Sequence, residues 1–184
     1  METSLLIGGF GGQGVQTLGK LIAYAANEDE KNVTFSPAYG GEMRGGTSNC
    51  TVVVSDRYIS SPNKQHCDLI TAMNADSFRT FEKQVKPGGL LIVNDSLVDE
   101  QSTRTDIRVV RAPFSEEAAK LGSEKVLNVV VMGFLVAYTG IVSMQAAERV
   151  VLQKLGKKEQ FRVLNAQAFQ AGAELAQKAL EAQA

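Results

Sequence analysis

The sequence is poor in the side chains that build disulfide scaffolds, zinc sites and iron–sulfur clusters. Its 184 residues include two cysteines, Cys50 and Cys67, one histidine and no tryptophan. An iron–sulfur cluster usually takes four cysteine thiolates, and a structural zinc site usually takes closely spaced cysteine pairs. We therefore expect no metal site on this chain, and we interpret both cysteines as reduced, packed thiols of a cytoplasmic protein.

An excess of charge and a long hydrophobic run are also missing. The chain has 19 Lys and Arg against 20 Asp and Glu, whereas nucleic-acid-binding domains normally show a basic excess. The most apolar stretch, residues 126–142, includes polar side chains and two glycines and is short for a membrane span. The first residues lack the positive charge of a signal peptide. We expect a globular protein with no nucleic-acid partner and no membrane segment.

Apolar runs alternate with helical patterns along the first half of the chain. The runs predict strands at 4–7, 32–36, 49–55, 68–72, 90–94 and 107–111, with a short strand at 57–60. Helices are predicted at 15–26, 76–85, 114–121, 126–141, 143–155 and 158–184, and 87–89 is a predicted turn. This order favours one α/β domain over 1–184, with a mostly parallel sheet, helices on both faces and a helical part at about 113–184 packed on it.

A glycine-rich loop lies between the first predicted strand and the first predicted helix. Gly9, Gly11, Gln13 and Gly14 belong to a Gly-x-Gly-x-x-Gly sequence that also contains Gly12. In a Rossmann-like fold such a loop turns tightly, and the N–H groups at the helix start point at a phosphate. The second strand lacks the terminal carboxylate of an NAD site, and no Walker A lysine follows. A phosphate contact and simple strand–helix packing both stay open.

A second glycine-rich loop, residues 36–48, follows the second predicted strand. It therefore lies at the carboxyl edge of the sheet, where open α/β sheets bind ligands. Arg44 can pair with a phosphate or carboxylate, and Tyr39 can stack or donate a hydrogen bond. The alternative is an internal pair between Glu42 and Arg44. We favour a functional loop, because such an irregular segment has little structural purpose.

The remaining polar residues do not assemble into a recognisable catalytic set. We interpret His66 as a surface residue, and we interpret Asp95 as a turn-forming residue beside Ser96. Asn128 begins a buried predicted helix, and we interpret it as the cap of that helix. No Ser-His-Asp set or pair of carboxylates stands out, so we predict no catalytic residue. The pattern favours a binding or interface subunit over a complete enzyme.

Taken together, the two loops resemble the gamma subunit of 2-oxoacid:ferredoxin (acceptor) oxidoreductases. The matching segments are 7–15, 39–48, 50–56, 68–70 and 87–89, with Asn128 before Met132 and Gly133. The resemblance covers nearly the whole chain and is densest over residues 5–70. Gly41 stands where many relatives have proline, which loosens the loop because proline fixes φ and glycine frees it.

The resemblance implies a subunit, inactive alone, of an enzyme that oxidatively decarboxylates a 2-oxoacid and transfers the acyl group to coenzyme A. Thiamine diphosphate and iron–sulfur clusters are then expected on partner alpha, beta and ferredoxin-like delta subunits, with ferredoxin or a similar acceptor. Gly9 and Gly11 to Gly14 would face the coenzyme's phosphates. Arg44 would reach the coenzyme or a partner from a loop that includes Tyr39, Glu42 and Gly45. The isolated chain, lacking its partners, is open to self-association.

The loop sequences look more like 2-oxoglutarate members of the family than pyruvate members. One alternative is an independent nucleotide-binding or regulatory module that uses the same glycine loop. Another is an assembly subunit whose glycines serve packing alone. The independent module predicts a ligand-dependent rise in the melting temperature of the isolated chain, whereas the two subunit hypotheses predict neither turnover nor tight NAD binding by the chain alone.

Overall fold

The computed structural model describes residues 1–39 and 47–183. Within these residues, the strands of one sheet are β1 (Glu2–Phe10), β2 (Asn32–Tyr39), β3 (Thr47–Ser55), β4 (Cys67–Ala72), β5 (Val85–Asn94) and β6 (Arg108–Ala112). The helices are α1 (Val15–Glu28), α2 (Ala75–Phe81), α3 (Phe114–Lys120), α4 (Leu127–Thr139), α5 (Met144–Leu155) and α6 (Glu159–Glu181). Short 3₁₀ turns occupy Glu82–Gln84 and Glu124–Val126.

The sheet has the strand order β2-β3-β1-β4-β5-β6 and is mostly parallel. The neighbours β1, β4, β5 and β6 pair in parallel, because a helix or a long connection returns the chain after each of them. Strand β3 is the exception and pairs antiparallel with both β1 and β2. The predicted α/β fold with a mostly parallel sheet is confirmed.

Helices cover both faces of the sheet, as predicted, but very unequally. Leu5 and Ile7 of β1 pack into a large cluster with residues of α1, α3, α4, α5 and α6. Leu6, between them, points to the other face and packs near Phe78 of α2 in a much smaller cluster. On the thick side, Gly172 of α6 lies against backbone of α4, and an added Cβ there would overlap the Val130 carbonyl.

Several predicted boundaries are wrong where pairing between strands overrides local signals. Strand β1 continues through the first glycines to Phe10, because those residues pair with β3. Pro37 does not end β2, because β2 is an edge strand and such strands tolerate proline. Residues 57–60 do not form a strand. The predicted turn at 87–89 lies inside β5, as an irregularity between the pairs Cys67–Val85 and Leu69–Leu90.

Both cysteines are free and buried, as the sequence analysis predicted. Burial raises the pKa of the Cys50 thiol to about 12, so this thiol stays protonated at neutral pH and acts as a packing group. Burial also raises the pKa of Cys67. Among the helices of residues 1–39 and 47–183, none is both long and apolar enough to cross a membrane.

Candidate functional site

The glycine loop joins β1 to α1 at the carboxyl edge of the parallel strands, where the sequence analysis expected it. Its stem lies beside the stem of the second loop, since Gly9 pairs with Ser48 and Phe10 pairs with Thr47. Tyr39 ends β2 next to them and pairs with Ser48. Glu42, Arg44 and Gly45 lie outside the described residues.

The Gln13 side chain braces the glycine loop against the end of β4. Its Oε1 accepts hydrogen bonds from Phe10 N at 2.8 Å and from Asn74 Nδ2 at 3.0 Å. Its Nε2 donates to the Met73 carbonyl at 3.2 Å. The Gln13 amide is therefore hydrogen-bonded to protein groups at both its oxygen and its nitrogen, and these bonds fix the shape of the loop.

Two buried asparagines that the sequence analysis did not single out continue this network. Asn74 Oδ1 caps α2 by accepting from Ser77 N at 2.8 Å. Asn94 donates to the Met73 carbonyl at 3.1 Å and to Ser115 Oγ at 2.9 Å. Asn94 ends a buried apolar strand and Asn74 lies two residues after the end of another, and that position was the signal in the sequence that could have identified them.

Glycines of the loop serve different purposes. Gly9 is a close-packing position, since an added Cβ would lie 2.7 Å from Gln13 Oε1. Gly14, at φ 76°, is the N-cap residue of α1 and packs against Asn128. Gly12 has φ 108°, which L side chains rarely adopt, and nothing lies within 4 Å of an added Cβ. Gly11 and Gly12 are exposed, so the tip of the loop faces open space.

The N-terminus of α1 has no side-chain cap among the described residues, whereas side chains accept hydrogen bonds from the first N–H groups of α2 and α3. In the described part of the chain, no side chain caps α1, and its first turn has no acidic residue. Helix α2 has its Asn74 cap and Asp76, and α3 has two glutamates in its first turn. Backbone N–H groups of α3 also donate to Asn94 and Ser96. Positive partial charge at α1 is thus available to an outside anion.

Gln16, in the first turn of α1, connects this helix to both stems of the second loop. Its Nε2 lies 2.8 Å from the Asn49 carbonyl, 3.0 Å from Ser48 Oγ and 3.3 Å from the Ala38 carbonyl. Its Oε1 is buried and has no hydrogen-bond partner within the described ranges. The sequence analysis missed this residue, because the contacts join positions far apart in the chain.

His66 and Asp95, two other polar residues that the sequence analysis considered, lie at opposite edges of the sheet. His66 is exposed just before β4, at the opposite edge of the sheet. Asp95 pairs with Arg111 at 2.6 Å. A cavity of about 560 Å³ also opens at that opposite edge, lined by Asp68, Lys86 and others. In the part of the chain that the structure describes, no group of three or more His, Cys, Asp or Glu side chains could hold a metal ion.

A family model for pyruvate ferredoxin/flavodoxin oxidoreductase matches residues 4–175. The 2-oxoglutarate synthase subunit KorC of Methanothermobacter marburgensis is 37% identical, over 95% of this chain and 97% of KorC. The ketoisovalerate oxidoreductase subunit VorA of Methanothermobacter thermautotrophicus is 33% identical over 98% of this chain, but the chain spans only 38% of the length of VorA.

Two solved structures share the fold. One is the gamma subunit of a keto/oxoacid ferredoxin oxidoreductase from Geobacter sulfurreducens, with TM-score 0.87 and 32% identity over 97% of this chain and 98% of that one. The other is a 2-oxoglutarate:ferredoxin oxidoreductase from Magnetococcus marinus with 2-oxoglutarate, coenzyme A and succinyl-CoA bound. Its TM-score is 0.88 at 23% identity, over 96% of this chain and 31% of that one. Since the family model spans almost the whole chain and similarity to a gamma subunit runs end to end, the chain belongs to the pyruvate ferredoxin/flavodoxin oxidoreductase family, as its loops indicated.

Proposed function

We propose that this chain is the gamma subunit of a 2-oxoglutarate:ferredoxin, or similar acceptor, oxidoreductase that converts the 2-oxoacid to its acyl-CoA. Similarity to KorC along nearly the full length of both chains supports both the subunit type and 2-oxoglutarate as the substrate. The chain acts as one domain over 1–184, since residues of α6 pack into the same cluster as the sheet.

We propose that thiamine diphosphate and the iron–sulfur clusters are held by alpha, beta and ferredoxin-like delta partners, with ferredoxin or a similar protein as acceptor. Both cysteines of this chain are buried, whereas a cluster needs about four available thiolates. The two free thiols also support a location in the cytoplasm, where thiols stay reduced.

The uncapped N-terminus of α1 is the observation that supports a coenzyme A contact. The residues present suit a phosphate, because no acidic residue in the first turn opposes the anion and the loop tip at Gly12 leaves space. The exposed backbone of Gly11 and Gly12 and the first turn of α1 would contact the phosphates. Gly9, Gln13 and Gly14 set the shape of the loop.

The second loop would complete this site from the neighbouring strand ends. We propose that Arg44 binds the coenzyme or a partner subunit, with Tyr39, Glu42 and Gly45 shaping its approach. Coenzyme A supplies the thiol that accepts the acyl group, while this chain binds and orients the coenzyme. Failure of Arg44→Ala to change either coenzyme A dependence or association with the partner subunits would contradict the role of that residue.

The matched pair Gly12→Asp and Gly12→Asn tests the coenzyme A contact in the assembled complex. Both variants put a side chain of the same size at a positive φ, so backbone strain is common to both and only the charge differs. We expect Gly12→Asp to raise the KM for coenzyme A at least tenfold above that of Gly12→Asn. Equal KM values for the two variants would show that no anion binds at the loop tip.

Isolation of the tagged chain from its native extract tests the subunit assignment. We expect larger subunits to co-purify with coenzyme A-dependent reduction of a viologen dye, faster with 2-oxoglutarate than with pyruvate. An inactive single chain whose melting temperature rises with a nucleotide would instead identify an independent binding module.

A further inference from the structure

Asn128 is a buried amide whose role the chain itself does not explain. It is the second residue of α4 and is 6% exposed. The sequence analysis interpreted it as a helix cap, and this is wrong. The N-cap position is Val126, no side chain caps α4, and a 3₁₀ turn at Glu124–Val126 precedes the helix.

The Asn128 side chain lies directly on the glycine loop. An added Cβ on Gly14 would sit 2.8 Å from Asn128 Cβ and Cγ and 2.9 Å from Nδ2. Gly14 is the N-cap residue of α1, so the amide lies at the uncapped end of that helix. The lack of a side chain at Gly14 is what allows α4 to bring the amide there.

No hydrogen bond joins the Asn128 side chain to another group in residues 1–39 and 47–183, whereas other buried asparagines are well bonded. Asn165 of α6 is 7% exposed, and its Nδ2 donates to the Phe161 carbonyl at 2.8 Å. Asn94 of the same sheet edge donates twice. Neither polar atom of Asn128 is among the fully enclosed, unpartnered side-chain atoms of the described residues, so the amide is not an unsatisfied group sealed in the core.

We propose that Asn128 binds the ligand by donating an Nδ2 hydrogen bond to a phosphate oxygen of the coenzyme A held at the N-terminus of α1. This inference rests on the proposed function and adds a residue from α4 to a site otherwise built from the glycine loop and the first turn of α1. An amide is neutral, so unlike a carboxylate it can donate to an anion without neutralising the positive end of α1.

The substitution Asn128→Asp keeps the side chain's size but replaces the donor by a carboxylate. In the assembled complex we expect the KM for coenzyme A to rise at least thirtyfold, with kcat at saturating coenzyme A within threefold of the parent. The Kd for coenzyme A, measured by calorimetry, should rise in parallel. The melting temperature without coenzyme A should not fall, because a carboxylate near the N-terminus of α1 interacts favourably with the helix dipole.

Asn128→Ala supplies the test if Asn128→Asp does not assemble, and it should raise the same KM and Kd about tenfold. Asn165→Ala is the control, since it removes a similarly buried amide from α6, outside the glycine loop and α4. It should lower the melting temperature without changing the Kd.

If the Asn128 variants behave like Asn165→Ala, the residue is structural and the proposal is overturned. The variants Gly12→Asp and Gly12→Asn distinguish failure of the Asn128 inference from failure of the proposed coenzyme A site. A KM change at Gly12 without one at Asn128 contradicts this inference alone, while no change at either contradicts the coenzyme A site itself.

Discussion

Two polar networks, one at each edge of the central sheet, satisfy their groups with different chemistry. At the amino edge, Asp68 accepts from Ser4 N at 2.8 Å and from Ser4 Oγ at 2.6 Å, and it pairs with Lys86 at 2.8 Å. At the carboxyl edge, the network around Gln13 and Asn74 consists of neutral amides and carbonyls. The positive end of the α1 helix dipole is therefore not neutralised by an ionised side chain in the first turn of that helix.

The cavity and the candidate site lie at opposite edges of the sheet. The cavity at the amino edge is lined by ions of both signs, including Lys31, Asp56 and Arg108. The carboxyl edge offers the exposed backbone of Gly11 and Gly12. A site completed by partner subunits needs only such an open surface on the isolated chain.

The largest expected effect comes from cutting the neutral network at Asn74. Asn74→Ala removes the cap of α2 and the amide that bonds Gln13, so we expect a loss of about 2–3 kcal/mol in the free energy of unfolding. Because no member of the network titrates near neutrality, this loss should be the same at pH 5 and pH 8. Denaturant unfolding at the two pH values measures it, and a strongly pH-dependent loss would contradict the contrast between the edges.

Helices α2 and α3 have acidic residues in their first turns, whereas α1 has none. An acidic residue added to the first turn of α1 should remove this difference. Thr17→Glu places a carboxylate in the first turn, where it competes with a bound anion. We expect the KM for coenzyme A of the complex to rise about tenfold, which corresponds to about 1.4 kcal/mol. Thr17→Gln, of equal size and neutral, should stay within twofold of the parent, and equal effects of the two variants would show that charge is irrelevant there.

The Asp68 cluster at the amino edge should respond to acid, unlike the neutral network around Gln13 and Asn74 at the carboxyl edge. Partial burial by itself raises the pKa of Asp68, but hydrogen bonds from Lys86 and Ser4 outweigh it and hold the pKa below its usual value. Since the folded-state pKa is lowered, the stabilisation is present above the unfolded pKa of about 4 and is lost as the pH falls through the folded value.

Asp68→Asn therefore should cost about 1 kcal/mol at pH 7, discounted for the partial exposure of the pair, and less at pH 3. Unfolding free energies of the parent and the variant should converge as the pH falls. Two parallel curves between pH 7 and pH 3 would mean that the Asp68 carboxylate contributes no linked stability.

The smallest expected effect is that of removing the Asp76 carboxylate from the first turn of α2. Asp76→Asn removes an exposed acid from its first turn and breaks an exposed pair with Arg79, so we expect a loss below about 0.5 kcal/mol. The KM for coenzyme A should not change, because the Asn74 cap keeps this N-terminus closed. A lower KM would indicate that α2 also takes part in anion binding.

Much of the fold was predictable because its signals are local. The span 15–26 predicted α1 within two residues, and apolar runs located all six strands of the sheet. The antiparallel direction of β3 was not predictable, because an apolar run looks the same in either direction. The predicted end of β2 at Pro37 was wrong for a related reason, since proline ends a strand only where a ladder partner needs its N–H.

The sequence by itself determined the glycine loop, its place between a strand and a helix, and the family resemblance, because these depend on neighbouring residues and the backbone freedom of glycine. Only the tertiary structure decided which amides surround that loop. Asn74 meets Gln13 across 61 positions of the chain, and Asn128 reaches Gly14 only through the packing of α4. Contacts over such separations depend on how the helices pack on the sheet, and no local pattern encodes them.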